Sequence, residues 1–162
     1  KAGNHIDALL MDLIEDSYPG LSLSKNYVRS IKEKHAFVGE HKTRVQLEIK
    51  KKGKGLLVDI SDEIRYACES IVPDLIMQLR RLISGFHVKL QSRAIANIIL
   101  SGGGSRIEGL DRMIINNLNG LGTVQVSCVQ DIIYPGSAGA LMLACELPPK
   151  YWGEFNVSFE ND

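Results

Sequence analysis

The chain has 162 residues, a length typical of one domain or of one lobe of a larger protein. No apolar run approaches the ~20 residues that a membrane helix requires, so the sequence indicates that the chain does not span a membrane. Nineteen basic side chains balance nineteen acidic ones, which argues against a general nucleic-acid binder. The three cysteines are an odd number and far apart, so we expect neither a disulfide framework nor a zinc site, and a cytoplasmic location.

Helical spacing of apolar residues governs the first part of the chain. The sequence opens on Lys1 without a methionine or a secretory signal, as we would expect of a piece cut from a longer protein. Apolar residues then recur at intervals of three and four over about residues 5–17, which predicts a helix ended by Tyr18-Pro19-Gly20. A second, strongly charged helix is predicted from Ser24, as its N-cap, to about His35.

A hairpin and a long helix follow. Alternation over Arg44–Ile49 and the apolar run Leu56–Ile60 predict two paired strands, with a basic tip at Lys50–Gly55. The tip could meet acidic lipid or a partner, although a solvated tip explains it more simply. Helical spacing from Ser61 to about Ser84 predicts one helix, kinked at Pro73.

The remaining pattern alternates strands with helices. It comprises a buried strand over Ile95–Leu100, a glycine turn at Ser101–Ser105, a helix carrying Leu110 to Leu118, a strand over Val124–Cys128, and a small-residue helix from Pro135 to Ala144. We expect the tail after Trp152 to be loosely ordered. Strands alternating with helices predict the α/β class.

The glycine turn is the sharpest feature of the sequence. Three glycines between a strand and a helix let the backbone approach a flat or anionic ligand without a Cβ in the way. The turn does not match the dinucleotide fingerprint, because Ile107 stands where a third glycine is needed, and no Gly-Lys-Ser/Thr follows for a phosphate loop. The nucleophile elbow of hydrolases is excluded by the same isoleucine. A plain tight turn remains open as the alternative.

The charged helix carries the second candidate group, Arg29, Lys32 and Glu33, which lie three and four residues apart. Such a face could grip a ribose or an adenine. The alternative is a solvated face whose ion pairs contribute only ~0.2–0.5 kcal/mol each. The four histidines show no spacing that suggests a metal site.

Several segments occur in the order found in the second half of bacterial actin-like ATPases. Gly3–Asp7 resembles the segment that opens this lobe, and Arg29–Lys34 resembles the charged helix that the family places over the nucleotide. Leu100–Ser105, followed by Ile107 and Gly109-Leu110, is similar to the second adenosine motif. Within the family, Lys32–Gly39 and Asp131–Ala140, closing on Tyr151-Trp152, look most like the magnetosome-filament branch, with the MreB branch next.

The resemblance implies an actin-like fold of the ribonuclease H-like superfold, here a second lobe with a small hairpin-containing subdomain. It implies a smaller adenosine-contacting subdomain over about residues 4–90, a strand–helix core over about 91–150 and a tail over 151–162. The implied nucleotide-binding residues are Arg29, Lys32, Glu33, Gly102, Gly103, Gly104, Ser105, Arg106 and Ile107. The first three would lie along the adenosine, the glycines would pass under the adenine and α-phosphate, and the last three would border it.

The function implied by the resemblance is that of the nucleotide-binding lobe of a filament-forming ATPase. The cofactor would be ATP or ADP with Mg²⁺, the metal being organised mainly by the other lobe. No catalytic or metal-binding residue of the family can be placed in this chain, so the chain by itself would be inactive.

The implied partners are other copies of the protein in a cytoplasmic filament, ATP, and an adaptor linked to a membrane or organelle, without nucleic acid. Two alternatives stay open: an actin-fold adaptor that lacks turnover, and a sugar kinase or chaperone-type ATPase of the same superfold.

Overall fold

The computed structural model describes residues 3–40, 44–51, 54–130 and 134–152. The chain divides into two compact units, Lys1–Val129 and Gln130–Asp162. The first unit contains α1 (Gly3–Ser17), α2 (Lys25–His35), β1 (Gln46–Lys51), β2 (Lys54–Asp59), α3 (Ser61–Glu69), α4 (Val72–Gly85), α5 (Val88–Ile95), β3 (Ile98–Leu100), α6 (Leu110–Leu118) and β4 (Val126–Cys128). The second contains α7 (Pro135–Glu146) and α8 (Pro149–Trp152). The mixed helices and strands confirm the α/β class.

The two predicted N-terminal helices are confirmed. In α1 the residues Ile6, Leu10 and Ile14 are buried along one face, as their spacing requires. The Ser24 hydroxyl oxygen accepts a hydrogen bond from the Tyr27 N–H at 3.3 Å, which caps α2. The two helices pack against each other, and α1 also packs against α3.

The predicted hairpin is confirmed as an antiparallel pair of β1 and β2. Leu47 lies opposite Val58 and both side chains are buried, so this face of the hairpin joins the core. Pairing extends to Lys51 opposite Lys54, so the strands take in most of the predicted basic tip. Its remaining residues, 52 and 53, lie outside the described part of the chain.

The prediction of one kinked helix over Ser61–Ser84 is wrong, because the chain forms two helices there. α3 ends at Glu69, Ser70 and Ile71 form a turn, and α4 begins at Val72. Pro73 therefore stands in the first turn of α4. The first N–H groups of a helix have no intrahelical partner, so proline costs nothing there and favours a start over a kink.

The predicted strand over Ile95–Leu100 begins too early. Ile95 is the last residue of α5, a helix that the apolar spacing did not reveal, and β3 is limited to Ile98–Leu100. Ile98 is buried, but Ile99 is 67% exposed, so only one face of this strand is covered. β3 pairs in parallel with β4, and α6 connects them as a β–α–β unit.

The core of the first unit joins the helices α1, α2, α3 and α6. Its fully buried larger side chains are Leu10, Ile14, Val28, Ile60, Ile64, Cys68, Ile114 and Leu118. Burial raises the pKa of the Cys68 thiol to about 11, so this cysteine is an unreactive core residue. The three cysteines are free thiols. None of the described helices is long and apolar enough to cross a membrane.

Candidate functional site

Helix α2 presents Arg29 and Glu33 to solvent. The Arg29 Nε donates a hydrogen bond to Glu33 Oε1 at 2.9 Å, and the two side chains are 63% and 58% exposed. This hydrogen bond holds the pKa of Glu33 below its ordinary value, and the positive charges of Lys32 and Arg106 act in the same direction. Glu33 is therefore an ionised hydrogen-bond acceptor on an open helix face.

Lys32, the third predicted member of this face, points elsewhere. Its ammonium lies 2.7 Å from Asp7 Oδ1 and donates to the Gly3 carbonyl oxygen at 3.2 Å, both in the first turns of α1. The side chains of Lys32 and Asp7 are only 14% and 6% exposed. The predicted trio is thus divided between an exposed pair and an inward-facing lysine.

The predicted glycine turn adopts a tight, exposed backbone conformation. Gly102 has φ +80° and ψ −179°, and a 3₁₀ turn over Gly103–Arg106 follows it. The Ser105 N–H and hydroxyl both donate to the Gly102 carbonyl oxygen, at 3.1 Å and 2.7 Å. A Cβ built on Gly103 or Gly104 would meet no atom within 4 Å, so this backbone borders open space that a planar ligand could fill.

Backbone hydrogen bonds connect the end of α2 to the residues that follow the glycine turn. The Glu108 N–H donates to the Ala36 carbonyl oxygen at 3.0 Å, and the Val38 N–H donates to the Glu108 carbonyl oxygen at 2.9 Å. Phe37 and Glu108 form a parallel β-bridge. Segments that are far apart in the sequence therefore meet, as the pairing of the two predicted motifs requires.

Gly109 fixes the distance between these segments. A Cβ at this position would lie 2.7 Å from the Val38 carbonyl oxygen, and the residue has φ +81°. Both the space and the backbone conformation therefore require glycine. In the sequence, Gly109 stands out only as part of the resemblance, because nothing local to it indicates that Val38 lies across from it.

Apart from Lys32, which faces α1, the predicted site residues fall into three groups. Arg29, Glu33 and Arg106 are exposed, and the charge of Arg106 acts on Glu33. Gly102 to Gly104 and Ser105 form the turn that directly precedes Arg106 in the chain. Ile107 is 7% exposed and belongs to the core, so its backbone, and not its side chain, could border a ligand.

This arrangement offers contacts suited to a nucleoside. A carboxylate accepts hydrogen bonds from ribose hydroxyl or base amino groups, guanidinium groups stack on planar rings, and a bare glycine backbone admits a flat base. Over residues 3–40, 44–51, 54–130 and 134–152, no group of three or more His, Cys, Asp or Glu side chains is placed to hold a metal ion.

No protein-family model matches the sequence. The chain is 37% identical over 152 residues to the actin-like protein MamK of Magnetospirillum gryphiswaldense, which aligns 94% of this chain with 42% of that protein. It is equally similar, at 37%, to MamK of Paramagnetospirillum magneticum, with 94% of this chain and 44% of the relative covered. The chain therefore spans less than half the length of these relatives.

Solved structures give the same result. The chain matches a MamK double helical filament with a TM-score of 0.85 and 36% identity, over 91% of this chain and 46% of the other. It matches a non-polymerising MamK mutant bound to AMPPNP with a TM-score of 0.84 and 35% identity, over 90% and 45% of the two chains. The actin-like fold that the resemblance implied is thereby confirmed. Over somewhat less than half of their length, the chain is therefore similar to the MamK actin-like proteins in both sequence and fold.

Proposed function

We propose that the chain is the nucleotide-binding second lobe of a bacterial actin-like ATPase that assembles into filaments. The observation that carries the proposal is the backbone connection between Ala36–Val38 and Glu108, which joins the exposed Arg29–Glu33 face to the glycine turn. Two separate motifs, each permissive by itself, would then form one surface. A relative of the same fold has AMPPNP bound, which supports ATP as the nucleotide.

The residues of this surface would divide the recognition of the nucleoside between them. The backbone of Gly103 and Gly104 would lie against the base, because no Cβ separates it from the open space. Ionised Glu33 would accept a hydrogen bond from the ribose or the base amino group, and Arg29 and Arg106 would supply guanidinium groups beside it. Ser105 would act through the shape of the turn, since its hydroxyl is bound to the Gly102 carbonyl oxygen.

The phosphates and Mg²⁺ would be held mainly outside this chain. Phosphoryl transfer depends on positioning and on electrostatic stabilisation of the phosphates. The proposed surface would contact only the adenosine, so we propose that the 162-residue chain does not hydrolyse ATP by itself. The division into an adenosine-contacting part over about 4–90, a strand–helix core over 91–150 and a tail belongs to the same proposal.

Filament formation is proposed from the MamK relatives, whose structures include filaments. Copies of the full-length protein would be its main partners, in a cytoplasmic cytoskeletal filament, with an organelle- or membrane-linked adaptor as a further partner. A role in organising magnetosome chains is the most specific part of the proposal and rests on the similarity of this chain to MamK.

Sedimentation with nucleotides tests the proposal. The full-length protein that contains this sequence is incubated with ATP, with ADP or without nucleotide and then centrifuged, and phosphate release is followed in parallel. We expect ATP-dependent pelleting with phosphate release, and no release from the 162-residue chain. Pelleting without any dependence on nucleotide, together with no phosphate release, would favour the adaptor. Turnover without pelleting would favour a kinase- or chaperone-type ATPase.

A further inference from the structure

The end of α4 and the start of α5 form an exposed apolar surface that the proposed nucleotide site does not use. Every residue from Ser84 to Leu90 is exposed. Leu82 and Phe86 line a groove of about 450 Å³, and Val88 lines a second groove of about 280 Å³. The large apolar side chains of this surface, each 43–76% exposed, are Leu82, Phe86, Val88 and Leu90. Soluble proteins rarely leave such a patch uncovered, so it indicates a contact surface.

This α4–α5 surface is also basic. Between Asp74 and Glu108 the sequence has five lysine or arginine residues and no aspartate or glutamate. Of these basic residues, Arg81, Lys89 and Arg93 are exposed beside the apolar patch, and none of the three forms an ion pair with a described residue. Because the whole chain is neutral, the rest of it carries an excess of five acidic side chains. The segregation of charge favours an acidic partner for this surface.

An acidic cluster of the same chain offers the complement. Asp12, Glu15 and Asp16 lie in the last two turns of α1, where all three are exposed and none forms an ion pair with a described residue. The helix dipole opposes acidic groups near a C-terminus, and the last turn of α1 has no basic side chain to offset them. The stability of α1 therefore does not explain this cluster, whereas contact with a basic partner would.

We propose that the α4–α5 surface of one copy of the full-length protein binds the acidic end of α1 in the next copy. This inference rests on the proposed function and deepens it, because it names surfaces that would meet in the filament. The two surfaces differ, so the contact is head to tail, and every copy added leaves a free surface of each kind at the two ends. Such a contact repeats along a filament.

The two surfaces would contribute differently to the contact. The apolar side chains would leave water on association, and the basic side chains around them would meet the carboxylates of α1 as a charged rim. Within one copy, α1 packs against α2 and α3, whereas α4 packs chiefly against α5 and α6. No ion pair joins the two surfaces in the described part of the chain. Both are therefore available to another copy.

An anionic membrane is the other occupant that suits a basic and apolar surface. It would attract the α4–α5 surface but repel the acidic excess on the rest of the chain. A second copy uses both charges, and relatives of known structure include a filament. These two observations favour the second copy.

Reversal of charge on each surface tests the inference in the full-length protein. The basic-surface variant is Lys89→Glu/Arg93→Glu, the acidic-surface variant is Glu15→Lys/Asp16→Lys, and the quadruple variant carries all four changes. Pelleting with ATP is measured for each variant and for an equimolar mixture of the two double variants. The affinity for a fluorescent ATP analogue is measured in parallel.

Each double variant alone places like charges opposite each other, so we expect the protein concentration needed for pelleting to rise at least about tenfold. The quadruple variant should pellet within about threefold of the starting concentration, and so should the mixture, because each copy then meets the opposite charge on its neighbour. All variants should keep their ATP affinity within about twofold, since the changed residues lie outside the nucleotide surface.

A control variant separates the contact from net charge. Arg44→Glu/Arg112→Glu changes two exposed arginines outside both surfaces and has the same net charge as the basic-surface variant. It should pellet like the starting protein. Equal loss of pelleting in this control would show an effect of net charge alone, and would overturn the inference.

The remaining outcomes are equally decisive. Normal pelleting of either double variant would overturn the inference, and so would a mixture that fails to pellet. Recovery in the quadruple variant but not in the mixture would show that the surfaces meet within one copy. If the starting protein does not pellet with ATP, the proposed function fails separately, and sedimentation velocity of the mixture then decides. Association in the mixture, absent from either double variant alone, supports the contact, and no association overturns it.

Discussion

Substituting alanine at Gly103 separates a turn that a ligand approaches from one that is merely tight. Gly103 does not have a positive φ, and a Cβ there would meet no atom within 4 Å, so the folded protein accommodates alanine without strain. The loss of backbone freedom in the unfolded chain should stabilise the variant by about 0.4–1 kcal/mol. The melting temperature of Gly103→Ala should therefore be unchanged or slightly raised.

Gly102 supplies the matched control. Its φ of +80° and ψ of −179° lie in a region that is essentially restricted to glycine, so alanine there should cost about 1–3 kcal/mol. In a domain of 150–250 residues this corresponds to a fall of about 2–12 °C in melting temperature. We therefore expect the same added methyl group to have opposite effects on stability at these two neighbouring glycines.

Nucleotide titration of the folded full-length variants completes the test. If the base lies on the Gly103 backbone, the new methyl group occupies its place, and Gly103→Ala should lose at least about tenfold in affinity while its melting temperature is retained. Native affinity in a stable Gly103→Ala variant would refute a ligand at this turn. A melting temperature lowered as far as that of Gly102→Ala would refute the account of the backbone.

Two further predictions concern single carboxylates. Glu33→Ala in the full-length protein should weaken ATP binding about tenfold or more, because it removes a hydrogen-bonding partner worth roughly 1–3 kcal/mol. Glu63→Ala on α3 is the control and should leave the affinity unchanged. Equal affinities of the two variants in a titration would show that Glu33 is only a solvent-exposed residue of α2. The Ser61 hydroxyl and N–H, which donate to Asp59 Oδ1 at 2.6 Å and 3.1 Å, hold the pKa of Asp59 below its ordinary value of 3.8. This carboxylate therefore stabilises the native state above about pH 3.8, and its contribution is lost as the pH falls through the lower native pKa. An NMR titration should show a higher Asp59 pKa in Ser61→Ala, and an identical value in both proteins would contradict this cause.

The sequence predicted best the elements whose signals are local. Helix α1 has a continuous apolar stripe, α2 has the Ser24 cap, and the hairpin has an alternating first strand, in which Leu47 faces Val58 of the second. Each of these signals spans only a few residues, and nothing elsewhere in the fold overrides it. The actin-like fold itself was recognised from the order of several motifs, because no single periodicity distinguishes it.

The errors arose where two local signals compete. Pro73 is compatible with a kink or with a helix start, and only the turn at Ser70 and Ile71 decides between them. The apolar run from Ile95 to Leu100 suits a strand, but Ile95 is the buried last residue of α5. Short apolar runs do not distinguish the end of a helix from the start of a strand.

The candidate site contains a feature that no local pattern could reveal. The spacing of Arg29, Lys32 and Glu33 is consistent with one shared helix face, yet Lys32 turns inward because Asp7, 25 positions earlier, lies across from it. Which side of α2 a residue takes depends on its neighbour in the folded chain. Contacts between distant residues therefore determine which members of the predicted cluster face solvent.

The base of the hairpin is closed within the core, which limits where the protein can vary in length. The Ile60 N–H donates to the Val45 carbonyl oxygen at 2.9 Å, and the buried Leu47 and Val58 lie opposite each other next to it. Lengthening a flexible loop costs only ~0.6 kcal/mol for each doubling of its length. An insertion beyond Leu47 and Val58 should therefore cost little, whereas one that separates Val45 from Ile60 would open the core.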